Sequence, residues 1–320
     1  MIPILLIFLL LADCSKSSKF CHPDLCEDGE EHLLCKDNGK YNYDTCPPKA
    51  TRLVTMSKEY INKILHLHNF FRNLVALGKV GKMPKAARMS LLQWDTDLAN
   101  VAEVAVRQCQ FESLKCASTI NYPSTGQNEA IKMYFCVTPT FDIIEDHITF
   151  WLAHSDLTSA EDLIEPNFSD KNTSYFLQAV RDRADRIGCA AIRYIIPNLV
   201  YLLFRCVYSC GISMCSMHNP VYEIAQKTSG QNCRTGMSPE YPYLCSNREI
   251  MKKCSDRDPI QKPIEPPSSQ EHAAHNDEDP DDTEKPIWAP HFSSEEQTEP
   301  PFSENVTELG KNFKNLTLYK

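Results

Sequence analysis

The sequence has little that would hold the protein in a membrane. Its longest apolar run, Ile4 to Leu11, lies at the start and is followed by Ala12-Asp13-Cys14-Ser15. A membrane-spanning helix needs roughly 20 apolar residues, so this run is too short to cross a bilayer. A short apolar run followed by small residues is typical of a signal peptide. We therefore expect residues 1–14 to be removed from a secreted, extracellular protein that has no membrane span.

The sequence also lacks an excess of basic residues. Its formal net charge is −9, and residues 255–320 contain fifteen acidic and six basic side chains, so the rest of the chain is neutral. A neutral body has no electrostatic footprint for nucleic acid. A phosphate-binding glycine loop and a G-x-S-x-G nucleophile elbow are both absent. These absences predict no nucleic-acid partner and argue against the common nucleotide-binding and serine-hydrolase classes.

Residues 255–320 differ from the rest of the chain in composition. They hold nine of the 21 prolines and acidic runs such as Asp277-Glu278-Asp279, with almost no periodic apolar pattern. Such a segment cannot bury enough apolar surface to offset the entropy lost on folding. We predict an acidic, proline-rich disordered tail that serves as a solvated spacer, or alternatively as an acidic interaction segment.

Cysteine is abundant. Fourteen cysteines remain once Cys14 is assigned to the signal peptide, and an even, high count in a secreted chain predicts disulfides. Residues 15–56, rich in Asp, Gly, Asn and Pro, form a predicted cysteine-bridged extension. Cys206, Cys210, Cys215 and His218 could mimic a zinc cluster, but secretion favours disulfides. The cysteines predicted to form disulfides are Cys21, Cys26, Cys35, Cys46, Cys109, Cys116, Cys136, Cys189, Cys206, Cys210, Cys215, Cys233, Cys245 and Cys254.

Apolar periodicity predicts three helices followed by two strands. The first helix begins after Ser57 and ends at Gly78, the second begins at Asp95 or Thr96, and the third begins after Pro139. Small residues on the second helix indicate close packing against a sheet. Cys189 to Ile196 and Leu199 to Tyr208 read as a β-hairpin. We expect an α+β domain with one core, and Cys189–Cys206 is the favoured disulfide because these residues lie on the two strands.

Several local strings resemble the CAP superfamily, which contains antigen 5, the cysteine-rich secretory proteins and pathogenesis-related-1 proteins. Two segments resemble the insect antigen 5 branch in particular. The resemblance runs from Cys21 to Cys254 and implies a three-layer α-β-α sandwich with a central antiparallel sheet, placing the CAP domain and a short cysteine-containing segment at 57–254. The matching strings are Leu67-His68-Asn69, Leu92-Gln93-Trp94-Asp95, the turn Gly126-Gln127-Asn128, Trp151, Ile187-Gly188-Cys189-Ala190, Lys36-Asp37-Asn38-Gly39-Lys40 and Cys233-Arg234-Thr235-Gly236.

The resemblance also implies a cleft in which CAP proteins gather two histidines and two acidic residues. The corresponding positions in this sequence are Ser113, Gln127, His154 and Tyr175. Because a catalytic zinc ion needs three protein ligands, a lone imidazole at His154 is insufficient. His147 and His154 could share a helix face, yet they lack a third ligand. The sequence therefore predicts a degenerate polar cleft with no catalytic residue, no metal and no cofactor.

Four sequons mark candidate glycosylation sites in the chain. Asn167 and Asn172 lie just before Tyr175, where a glycan would crowd the mouth of the cleft, and Asn305 and Asn315 lie in the tail.

These observations predict a secreted, monomeric, non-enzymatic protein that acts by extracellular binding or signalling, with an extracellular protein or a small ligand as partner. A carrier of a small apolar or amine ligand is the first alternative. A residual hydrolase is the second, because hydrolysis needs residues that this chain lacks at the usual positions.

Overall fold

The structure is a computed structural model that describes residues 19–26, 29–47, 50–134, 138–164, 171–196, 199–212, 220–252 and 254, with the side chains of 171 and 172 excluded. Within these residues, no helix is both long enough and apolar enough to cross a membrane. The elements follow the order β1 (Arg52–Leu53), α1 (Lys58–Leu77), β2 (Gln93–Trp94), α2 (Thr96–Val106), β3 (Gly126–Tyr134), α3 (Thr140–Ala153), α4 (Glu161–Ile164), α5 (Lys171–Ala179), β4 (Arg186–Ile196) and β5 (Leu199–Tyr208).

The three predicted helices begin where their capping residues indicate. Ser57 accepts a hydrogen bond from the backbone N–H of Tyr60 at the start of α1, and Asp95 accepts one from Leu98 at the start of α2. Helix α1 ends at Gly78, whose φ of 75° is in the left-handed region that glycine adopts without strain. Helix α3 follows Pro139. All three predictions are confirmed.

A mainly antiparallel sheet lies at the centre of the fold. Its strand order is β1-β4-β5-β3, and the short β2 adds a parallel pairing to β4. The predicted hairpin is confirmed, although β4 begins three residues earlier than expected, at Arg186. Gly126-Gln127-Asn128 was expected to be a turn. It instead opens β3, where Gly126 pairs with Tyr208, so that prediction is wrong.

Helices cover both faces of this sheet. On one face, Ala190, Ile192 and Leu203 pack against α2 through Leu98 and Val101.

On the opposite face, Tyr208 contacts His68 of α1, and Phe204 stacks with Trp151 of α3. Alternate strand residues point to opposite faces, so β5 supplies both layers. The α-β-α sandwich with its central antiparallel sheet is therefore confirmed.

The close packing of α2 on the sheet depends on one glycine. A Cβ atom at Gly188 in β4 would overlap the backbone of Leu98 and Ala99 at the start of α2. The absence of a side chain therefore lets the helix approach the strand directly. The close packing expected from the small residues of α2 is confirmed.

In the part of the chain that the structure describes, six disulfides join twelve of the predicted cysteines, and Cys189–Cys206 is confirmed as a pair. Because Cys206 and Cys210 are in disulfides, the zinc alternative for Cys206, Cys210, Cys215 and His218 is wrong. Cys136, Cys215 and His218 lie outside the described residues. The remaining pairs are Cys21–Cys35, Cys26–Cys116, Cys46–Cys109, Cys210–Cys254 and Cys233–Cys245.

Two of these disulfides attach the N-terminal extension to the segment that follows α2. Cys26 pairs with Cys116 and Cys46 with Cys109, so the extension lies against the α2 side of the sheet. Phe20 belongs to the core cluster formed there with α2. The predicted boundaries of the signal peptide and of the tail fall outside the described residues and stay predictions.

Candidate functional site

A buried ion pair lies at the centre of the predicted cleft. Arg205 of β5 and Glu129 of β3 are directly opposite each other in the sheet. Arg205 Nη1 is 3.6 Å from Glu129 Oε2, and both side chains are 1% exposed. Burial lowers the pKa of Arg205, while the Glu129 carboxylate opposes that shift. The carboxylate compensates the charge of the guanidinium, which would otherwise be costly to bury.

Two of the four predicted cleft residues contact this ion pair. Ser113 Oγ donates a hydrogen bond of 2.9 Å to Glu129 Oε1, and Arg205 donates to Gln127 Oε1. Gln127 also bonds the backbone of Leu114, donating to its carbonyl at 2.9 Å and accepting from its N–H at 3.1 Å. Both side chains therefore take part in internal hydrogen bonds that hold the loop after α2 against the sheet.

Tyr175 lies on α5, close to the same ion pair. It is buried, its ring centroid is 6.2 Å from that of Trp151, and it shares a depression with Glu129. The depression has a volume of about 410 Å³. Its lining residues are Phe111, Glu129, Ala130, Ile131, Lys132, Asp146, His147, Phe150 and Tyr175.

His154 is placed differently from the other three. It ends α3, where its Nδ1 donates a 2.7 Å hydrogen bond to the Phe150 carbonyl and its ring packs 4.5 Å from the Phe150 ring. Of the four predicted residues only Tyr175 is among the described residues that line the depression, and His154, unlike Ser113 and Gln127, has no hydrogen bond to the ion pair in the described part of the chain. From this residue the chain continues as a 3₁₀ turn, His154–Leu157.

His147, two turns earlier on α3, lines the depression instead. Its ring stacks on Phe204 at 6.3 Å and hydrogen-bonds the backbone of Leu202. Burial lowers the pKa of His147 to about 4, so the ring is neutral at neutral pH.

Residue patterns indicated neither Glu129 nor Arg205, and they did not place His147 in the cleft. A lone arginine within the apolar run of β5 was the available signal for the ion pair, because a buried arginine requires a carboxylate or carbonyl partner.

The donor set does not fit a metal ion. The described residues contain no group of three or more His, Cys, Asp or Glu side chains that could hold one. Ser113, Gln127 and Tyr175 are neutral, and the guanidinium of Arg205 lies where a cation would need negative charge. The absence of a metal stays a prediction for the whole chain.

The glycosylation sites also stay predictions. Asn167, Asn305 and Asn315 lie outside the described residues, and for Asn172 only the backbone, within α5, is described.

The comparisons with known proteins agree with this architecture. A family model described as the cysteine-rich secretory protein family, CAP, matches residues 65–208. Antigen 5 like allergen Cul n 1 of Culicoides nubeculosus is 36% identical over 190 residues, 56% of this chain and 84% of that protein. Venom allergen-1 of Aedes aegypti is 31% identical over 253 residues, 78% of this chain and 94% of that protein.

Among solved structures, the structure of BmVAL-1 is 21% identical with a TM-score of 0.48, and the match covers 63% of this chain and 98% of that one. The residues matched by the family model run from within α1 to the end of β5 and include every element that lines the depression.

Proposed function

The chain belongs to the CAP family of cysteine-rich secretory proteins, in its antigen 5-like branch, and from this premise we propose that it is a secreted protein that acts by extracellular binding and not by catalysis. Six disulfides among the described residues support an oxidising, extracellular setting. The apolar run at the start of the sequence supports export.

The Arg205–Glu129 pair is the observation that carries the non-enzymatic part of the proposal. A catalytic zinc ion requires an open coordination position and three protein ligands, and a general base must be able to accept a proton. Here the Glu129 carboxylate is within 3.6 Å of the guanidinium and accepts the Ser113 hydroxyl. Its negative charge compensates a buried cation, so Glu129 itself is not available as a base.

We expect the purified full chain to contain zinc far below one ion per molecule after dialysis with excess zinc and then against a mild chelator, because the described residues of the cleft supply no set of three zinc ligands. Elemental analysis by mass spectrometry measures the zinc content. Under the same conditions, a mixed peptide library should be cleaved no faster than in a buffer blank.

The His147→Phe variant locates any zinc that is retained. Stoichiometric zinc that is present in the wild type and lost in this variant would place a metal in the cleft and defeat the proposal. Zinc retained equally by both proteins would be bound elsewhere, and it would leave the assignment of the cleft intact.

A second candidate function is a carrier of a small apolar or amine ligand. The depression of about 410 Å³ favours it, because Phe111, Ile131 and Phe150 give it apolar walls. Native mass spectrometry of secreted material should then show a bound small molecule that is released on unfolding. A spectrum of the bare chain, together with flat lipid and amine titrations, would eliminate this candidate.

A further inference from the structure

Two further depressions lie beside the segment that contains Cys233, Cys245 and Cys254. Their volumes are about 560 Å³ and about 360 Å³, and they adjoin, because Ile250 and Met251 line both. We call the two together the basic groove, since six basic side chains line it against four acidic ones in the described part of the chain. The basic side chains are Arg88, Arg183, Arg186, Arg234, Arg248 and Lys252.

Glu249, one of the four acidic side chains, is used inside the protein. It is buried, and its Oε1 lies 2.6 Å from Arg88 Nη2. Its Oε2 accepts the backbone N–H groups of Arg234 and Thr235, at 3.0 Å and 2.9 Å. These contacts fix the backbone that carries Arg234, and the buried carboxylate adds little negative charge to the surface of the groove.

The exposed charge of the basic groove is mainly positive. Asp182 is buried and Asp185 is half-buried, so Glu223 is the exposed carboxylate of the four. Arg234 and Arg248 are both exposed, and within the described part of the chain their side chains make no hydrogen bond or ion pair. Two guanidinium groups are therefore available to an anionic ligand.

Guanidinium groups suit a ligand that carries several oxyanions. Arginine presents a planar fork of N–H donors that matches two oxygens of one anionic group. Binding to a polymer of such groups also releases the counterions that the polymer has condensed. Because the groove is concave, it fits a narrow chain better than the flat surface of a membrane.

Two observations favour a sugar chain among the polyanions. A single-stranded nucleic acid binds through bases stacked on aromatic side chains, but the apolar side chains described in the groove are mainly aliphatic, such as Ile250 and Met251. Asp182 lines the larger depression, and its Oδ1 has no hydrogen-bond partner in the described residues. Sugar hydroxyls are uncharged donors that suit such an oxygen, whereas the carboxylates of an acidic peptide are acceptors only.

We propose that the basic groove binds a sulfated polysaccharide of the glycosaminoglycan type, whose sulfate groups accept hydrogen bonds from Arg234 and Arg248. The inference rests on the proposed extracellular binding function, to which it adds a class of partner. The surface is also a new one, because none of the described residues that line the groove lines the depression beside Tyr175.

The test uses the full disulfide-bonded chain and a fluorescent heparin octasaccharide, with the affinity measured by fluorescence anisotropy at several salt concentrations. A variant that combines Arg234→Gln and Arg248→Gln should bind at least roughly tenfold more weakly at about 0.1 M salt, because each ion pair to a polyanion releases about one counterion. For the same reason, the slope of log affinity against log salt should become shallower by about one to two.

A variant that combines Arg52→Gln and Arg193→Gln is the matched control. It removes the same charge from two arginines that pair between β1 and β4. Arg193 lies seven residues along β4 from Arg186 of the groove, or roughly 23 Å. Charges at that distance are screened, so the affinity should stay within about twofold of the wild type. Both double variants should keep the wild-type midpoint of urea unfolding.

A poly-glutamate peptide with the same number of charges separates a sulfated sugar from an acidic protein, and it should bind at least roughly tenfold more weakly than the octasaccharide. Absence of octasaccharide binding at about 0.1 M salt, or equal losses in the two double variants, would overturn the inference. Poly-glutamate binding as tight as that of the octasaccharide would also overturn it, in favour of an acidic protein partner. None of these results bears on the zinc and peptidase measurements, so failure of this inference is distinguishable from failure of the proposed function.

Discussion

Replacing Arg72 by methionine is expected to lower the free energy of unfolding by about 3–5 kcal/mol. Arg72 is fully buried on α1, and its guanidinium donates to four backbone carbonyls on segments that no helix or strand pairing joins. Methionine fills much of the volume but donates nothing, so each carbonyl loses the guanidinium in a site closed to water. The carbonyls of Arg181 and Ala184 each keep one other donor, the Ala184 N–H and the Ser90 hydroxyl. The acceptors are the carbonyls of Ser90 at 2.8 Å, Ala179 at 2.9 Å, Arg181 at 2.8 Å and Ala184 at 3.2 Å.

Burial lowers the pKa of Arg72 to about 10, so the side chain stays charged at neutral pH and its loss removes a cation as well as a donor. Urea unfolding with the disulfides intact measures the effect through the transition midpoint. Arg248→Met is the control, because Arg248 is exposed and its replacement should change the stability by less than about 0.5 kcal/mol. A loss below 1 kcal/mol in Arg72→Met would show that the four carbonyls find other partners.

Acid is expected to destabilise the fold as the pH falls from about 6.5 to about 4. Burial lowers the pKa of both His68 and His147 to about 4. His68 donates from Nδ1 to the Ile64 carbonyl and accepts the Tyr208 hydroxyl at Nε2, which is the neutral form of the ring. The unfolded chain binds these protons at its ordinary pKa near 6.5, and the folded chain does not.

Because the unfolded chain binds more protons than the folded chain between pH 4 and pH 6.5, the free energy of unfolding decreases as the pH falls through this range. The stabilising contribution is complete above pH 6.5 and is lost as the pH falls toward the folded-state pKa. Each histidine should cost about 3 kcal/mol by pH 4. Urea unfolding at several pH values between 7 and 4 measures the slope. Asp182, whose pKa burial raises, acts in the opposite direction over part of this range.

A variant in which His68 becomes Gln and His147 becomes Phe isolates the histidine contribution. Asp182 acts in both proteins, so it cancels when the two slopes are compared. The variant should lose most of the pH dependence between 6.5 and 4. Equal slopes in both proteins would mean that other groups cause the acid sensitivity.

Secondary structure was predictable wherever its signals are local. The caps Ser57 and Asp95 and the terminator Gly78 are read from the residues themselves, and the apolar run from Leu199 to Tyr208 identifies β5. Strand β3 was missed because its polar residues, such as Asn128 and Glu129, are buried by contacts with other segments and give no alternating pattern. Burial of that kind depends on the register between strands, which composition does not encode.

The residues that form the cleft could be predicted only in part, because their positions also depend on contacts between segments that are far apart in the chain. The prediction that Ser113, Gln127 and Tyr175 replace the family's ligands rests on motif order along the chain, and it stays a prediction. The assignment of His154 to the cleft depended on its spacing from Trp151, and spacing does not report the partner of the ring, which is the Phe150 carbonyl. His147, two turns earlier on α3, lines the depression together with Tyr175.

By itself, the sequence determined the family, the starts of three helices, the hairpin and its disulfide, because caps, periodicity and motif order act over a few neighbouring residues. Only the tertiary structure decided that Glu129 compensates Arg205, that Ser113 and Gln127 secure a loop, and that His147 is buried against Phe204. These pairings join residues far apart in the chain. Their energies depend on burial and on strand register, and both exist only once the sheet and its two helical layers have assembled.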